Sequence, residues 1–89
     1  MVVFVFTKQA EKVFSKLSKS IQKRIVAKLK ELKAHDDIFS ILKRLNNFEP
    51  ATHRARIGQY RLILELRIQK GGYPEFWILD VGDGKDIYR

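Results

Sequence analysis

Arg54, Arg56 and Arg61 lie on either side of Gly58-Gln59, in the stretch running from His53 to Leu66. Apolar and polar residues alternate on both sides of that dipeptide. A two-residue loop with Gly first is a hairpin signal of the II′ kind. In that register Ile57 faces Tyr60, and Arg56 lies opposite Arg61. Side chains alternate along a strand, so the three arginines share one face. Ala55, Ile57, Tyr60, Leu62, Leu64 and Leu66 take the other. Like charges directly across a strand pair are destabilising, so selection for folding alone would avoid this arrangement. Guanidinium groups suit bidentate contact with phosphate, and their convergence points to a polyanion. The competing reading has the arginines splayed into solvent, with Glu65 or another carboxylate pairing one of them.

The chemistry this would serve is phosphate chemistry without a metal. His35 and His53 are far apart, and no close His/Asp/Glu set has ligand spacing; His35-Asp36-Asp37 reads as a helix cap. No Gly-rich loop has a phosphate-cradle pattern, and Gly82-Asp83-Gly84 reads as a turn. The serines sit on or beside helices as ordinary polar residues, without a base. RNA carries its own nucleophile, the 2′-hydroxyl. A protein can cleave it by orienting that group, stabilising charge on the phosphate and moving protons. Arginine serves the second task. A Lys, Tyr or similar group must serve the third, and Lys85, Tyr88 and Arg89 in the tail can reach the arginine face.

Composition narrows the class. The chain has 89 residues, enough for one small domain with a modest core. Lys and Arg total 18 against 10 acids, a net charge of +8. Residues 1–48 hold 11 basic and 4 acidic residues, so the excess lies mostly in the front half. Such charge predicts attraction to nucleic acid or to an acidic protein. Cysteine is absent, which excludes disulfides and thiolate metal sites and is compatible with a reducing, cytoplasmic home. Val2–Phe6 is too short for a signal core, and nothing approaches a membrane span.

The elements that must position these residues follow from periodicity. Val2–Phe6 is apolar throughout and β-prone; it predicts a strand buried on both faces, inside the sheet. Thr7 caps a helix carrying Ala10, Val13, Phe14 and Leu17 on one face. Ser18-Lys19-Ser20 breaks it. A second helix spans roughly Ser20 to Ala34, with Ile21, Ile25, Leu29 and Leu32 as its core stripe. A short link makes the two an antiparallel pair. The lysines outside that stripe read equally as a solvated face or as a nucleic-acid surface. An Asp at 36 or 37 caps a short helix through Leu45, and Asn46–Pro50 is a loop. After the hairpin, Gly71-Gly72 turns the chain into a strand from Pro74 to about Val81. In it Phe76 and Ile78 share one face; Trp77, Leu79 and Val81 share the other. The fold class is α+β: an N-terminal strand, a helix pair and a three-stranded antiparallel meander. The helices cover one face of the single sheet and leave the arginine face open.

Arg56-Ile57-Gly58-Gln59-Tyr60-Arg61-Leu62-Ile63 resembles the R-hydrophobic-G-x-Y-R-hydrophobic segment of the RelE/ParE superfamily of bacterial and archaeal toxins. Leu42-Lys43-Arg44-Leu45 resembles that family's K-x-L region. Ile78–Gly82 with Lys85–Tyr88 is similar to its closing strand and tail. The resemblance covers essentially the whole chain and implies one RelE-like domain over residues 1–89. It implies the toxin of a type II toxin–antitoxin module, acting as a metal- and cofactor-independent mRNA endoribonuclease in the ribosomal A site. Arg61 then stabilises the transition-state phosphate, and Arg54 and Arg56 bind and activate the RNA. Tyr88 contacts the substrate, Lys85 supplies charge, and Lys43, Arg44 and Arg89 add RNA contacts. The implied partners are the ribosome, mRNA and an acidic or amphipathic RelB-like antitoxin, through which the complex binds operator DNA. One departure stands out. The family's basic pair after the Gly of the last strand is replaced here by Asp83 and Gly84. That keeps two alternatives open: a ParE-like inhibitor of DNA gyrase, and a catalytically weakened toxin.

Overall fold

The computed structural model describes residues 2–68 and 71–83. Its elements are β1 (Val3–Phe6), α1 (Lys8–Ser15), α2 (Lys19–Ala34), α3 (Ile38–Ile41), β2 (Lys43–Arg44), β3 (His53–Ile57), β4 (Tyr60–Ile68) and β5 (Pro74–Asp83). The strands form one five-stranded sheet in the order β1-β5-β4-β3-β2. β3, β4 and β5 are the expected antiparallel meander. Among the described residues no helix is long and apolar enough to cross a membrane.

Short-range hydrogen bonds set the helix starts. Thr7 Oγ1 accepts from Ala10 N at 3.1 Å and donates to Ile78 O at 3.0 Å, so one side chain caps α1 and pins it to β5. Ser18 caps α2 by accepting from Ile21 N at 3.3 Å. Gln22 then sews the two helices together: its amide donates to Phe14 O at 3.1 Å and to Leu17 O at 3.0 Å. These carbonyls lie at the end of α1, where the helix's own N–H groups run out; Phe14 O also accepts from Leu17 N at 3.1 Å. Ala10, Ile25, Leu29, Leu32 and Ile38 bury themselves against Ala55, Ile57, Leu62, Leu64, Phe76 and Ile78. The helices thus cover one sheet face.

Four expectations change. β1 lies at the edge of the sheet, not inside it, paired in parallel with β5. The two hairpins keep β3, β4 and β5 adjacent, so the outer side of β5 is the position left to it. Its apolar run serves two surfaces: Phe4 stacks on Phe76 in the core, while Val5 is in register with Trp77 on the open face. Second, the short helix ends at Ile41 rather than Leu45, and Asp37 makes no side-chain cap bond. Lys43 and Arg44 instead pair with Arg54 and His53, and Leu45 N donates to Thr52 O at 2.8 Å. A helix through Leu45 would forfeit those bonds.

Third, the ladder shifts register beside Leu79: Leu64 pairs with Ile78 but Ile63 pairs with Asp80. The extra residue is a bulge, which resets the alternation. Val81 therefore joins Phe76 and Ile78 in the core, opposite Leu62. Fourth, Gly82 and Asp83 continue β5 instead of turning, facing Arg61 and Tyr60.

Candidate functional site: a guanidinium cluster at the hairpin tip

β3 and β4 hold the register expected of them. Ile57 pairs with Tyr60, Arg56 with Arg61, and Arg54 with Ile63. Gly58 has φ +59, the left-handed value that begins a II′ turn and favours glycine. Paired residues share a face, so the open face carries two rows. One runs Lys43, Arg54, Ile63, Asp80; the other runs Arg56, Arg61, Gly82. The second row ends in a residue without a side chain, beside Arg61.

The turn gathers the cations. Arg56 Nε donates to Gly58 O at 3.3 Å, and Arg61 Nη1 donates to the same oxygen at 3.4 Å. Arg61 Nη1 also reaches Tyr60 O at 3.3 Å. These are long bonds, and the acceptors are neutral carbonyls. Arg61 Nε is buried and, among the described residues, has no hydrogen-bond partner. Among the described residues no carboxylate pairs with Arg56 or Arg61. Leaving a buried donor unmade costs about 1–3 kcal/mol, more when it is charged. A folded chain tolerates that cost where a ligand supplies the acceptor.

Arg67 shows the contrast. It lies on the same face of β4, yet its Nη2 meets Glu65 Oε1 at 2.8 Å and its guanidinium sits 4.4 Å from the Trp77 ring centroid. Trp77 Nε1 in turn donates to Glu75. That end of the sheet neutralises its own charge. The tip does not.

The expected site residues divide accordingly. Arg54, Arg56, Arg61 and Lys43 share the open face. Arg44 does not join them; it pairs with His53 and lines a cleft with Phe39, Asn46, Thr52 and Leu66. Lys85, Tyr88 and Arg89 lie outside the described residues. Sequence reasoning missed Arg24, which reads as one more charge on α2. A methyl group built on Gly58 would stand 2.6 Å from Arg24 Nη2, so that guanidinium lies directly over the turn. Nothing in the α2 periodicity signals it; the contact spans the chain.

His53, in the alternating register of β3, faces inward. It is buried between Phe39 and Phe76, with ring centroids 5.9 and 5.5 Å away, and its Nδ1 lies 2.9 Å from Thr52 Oγ1. Burial, and then the nearby Arg44, hold its pKa below the ordinary 6.5. The unfolded chain therefore binds this proton more readily than the folded one. Stability from His53 is complete above about pH 6.5 and is lost as pH falls from there through the lowered folded pKa. Melting temperatures of wild type and His53→Gln between pH 7.5 and 5 check this. The wild-type profile should fall more steeply than the variant's; parallel profiles would remove His53 as the cause.

No family model and no curated protein matches the chain. Solved structures do. One chain of the intact Escherichia coli RelBE toxin–antitoxin complex superposes with a TM-score of 0.65 at 18% identity, over 92% of this chain and 95% of that one. One chain of the RelBE2 toxin–antitoxin complex of Mycobacterium tuberculosis gives 0.60 at 27% identity, over 91% and 95%.

Proposed function

We propose that this RelE-like chain, so related by its fold and by its Arg56–Ile63 hairpin, is the toxin of a type II toxin–antitoxin pair. In our reading it inhibits translation by cutting mRNA on the ribosome. The observation that carries this is the hairpin tip: Arg56 and Arg61 converge on Gly58 O, and Arg61 Nε is buried without an acceptor among the described residues.

The reaction needs no nucleophile from the protein. The RNA 2′-oxygen bonds to the adjacent phosphorus, and the bond to the 5′-oxygen breaks. Negative charge on the phosphoryl oxygens grows as the 2′-oxygen attacks. Arg61, pre-set by the turn, supplies donors where that charge develops. Arg56 and Arg54, with Lys43 beside Arg54, hold the flanking backbone, and Arg89 extends that contact from the tail. Tyr88 and Lys85 are the groups proposed to handle the substrate and its protons.

The antitoxin has a surface of matching chemistry. Phe14, Val26 and Ala27 floor a groove along α1 and α2 whose rim carries Lys19, Lys23 and Lys30. An acidic amphipathic segment fits both its apolar floor and its positive rim. Neutralising a chain of net charge +8 would also stabilise it by mass action.

Asp83 favours keeping a second reading. It places an acid on β5 where the family has a basic group, which suits a gyrase-directed, ParE-like toxin or a weakened nuclease. Expression followed by mapping of mRNA ends on translating ribosomes separates these. Codon-phased cuts are expected. Intact mRNA with DNA breaks would select gyrase; intact mRNA and DNA with normal growth would select the weakened form.

A further inference from the structure

The hairpin tip is approached from both sides of the sheet. Arg56 and Arg61 reach Gly58 from the open face. Arg24 reaches it from α2, whose next residue, Ile25, is fully buried in the helix-side core. Three guanidinium groups thus surround one glycine. Among the described residues none of the three pairs with a carboxylate. Arg24 has a long side chain and sits exposed on its helix, so it could swing into solvent away from two like charges. It lies over the turn instead. Gly58 is the residue that allows this, since a Cβ there would collide with Arg24 Nη2.

We infer that Arg24 is the third guanidinium of an RNA-phosphate clamp at the Gly58 turn, gripping a backbone phosphate beside the one held by Arg56 and Arg61. This rests on the RNA reading of the same site. RNA is favoured over an acidic protein by the grouping of the charges. Planar forks crowded at one point match phosphates spaced along a strand. The lysine-rimmed groove on the helices is the more diffuse surface that suits carboxylates. Arg24 is a binding residue; the chemistry stays with Arg61.

The test is an anisotropy titration of the full chain with a labelled, uncleavable 2′-O-methyl oligouridine across a salt series. The variants are Arg24→Ala, Arg24→Lys, Arg61→Ala and Lys33→Ala, with polyglutamate as a second probe. Lys33→Ala removes the same charge from the far end of α2. Arg24→Ala is expected to weaken RNA binding and to lower the slope of log affinity against log salt by about 0.7, one phosphate contact on a single strand. Lys33→Ala should change affinity far less, and Arg24→Lys should restore only part. Melting temperatures should match wild type. Equal losses for Arg24→Ala and Lys33→Ala would reduce Arg24 to net charge and overturn the clamp. Loss of polyglutamate binding with RNA binding intact would assign Arg24 to an acidic protein and also overturn it. If Arg61→Ala leaves RNA binding unchanged as well, the RNA reading itself fails. If Arg61→Ala alone weakens it, only the role of Arg24 does.

Discussion

Arg61→Ala is expected to abolish growth inhibition while leaving the fold intact. Removing one donor from a site of developing negative charge costs on the order of 100- to 1,000-fold in rate. The stability effect should be small or favourable. The substitution deletes a buried, unpartnered Nε and the like charge opposite Arg56. Each of these destabilises the folded state. Lost packing of the side-chain stem works against the gain, since Arg61 is half-buried. The melting temperature should therefore hold or rise. The check is mRNA cleavage on ribosomes alongside thermal unfolding. A fully toxic Arg61→Ala variant would show that the guanidinium has no role in the reaction.

Phe76→Ala should also abolish toxicity, by unfolding the chain. Phe76 is fully buried. It stacks on Phe4 at 5.7 Å between ring centroids, and meets Phe39 at 5.8 Å and His53 at 5.5 Å. Truncating a buried Phe to Ala costs about 3–5 kcal/mol. A domain of this size has about 4–13 kcal/mol in total, at 0.05–0.15 kcal/mol per residue. One side chain thus carries a large share of the stability. A urea titration should show a midpoint far below that of wild type, or no folded baseline. Phe76→Leu, which keeps most of the volume, should lose much less. A wild-type midpoint for Phe76→Ala would contradict the packing described for β1, α3 and β5.

These variants also divide what the sequence made legible from what it did not. The hairpin was readable because its information is local. The alternation around Gly58-Gln59 sets both register and facing, so the pairing of Arg56 with Arg61 follows from the chain alone. Thr7 was equally readable as a cap beside helical periodicity. Ser18-Lys19-Ser20 was readable as a break, but Ser18 itself caps α2, and Lys19 and Ser20 lie inside that helix. The edge position of β1 was not, because an apolar run looks the same at the edge and in the middle of a sheet. The bulge at Leu79 was missed because alternation gives no sign of one extra residue; it exchanged the face of Val81. The strand at Lys43–Arg44 was missed because its pairing with Arg54 and His53 is non-local, and it moved Arg44 away from the other cations. Arg24 escaped for the same reason, since its neighbour Gly58 lies far along the chain.

The central claim is that the tip arginines wait for an RNA phosphate, and side-chain NMR tests it most directly. The protein is labelled so that arginine Nε–Hε signals can be assigned, and is titrated with 2′-O-methyl oligouridine. Arg56 and Arg61 should shift strongly at saturation, with Arg61 moving as its buried Nε gains an acceptor. Arg67, already held by Glu65 and Trp77, should stay still. Stationary Arg56 and Arg61 signals at saturation, or a shift confined to Arg67, would contradict the account.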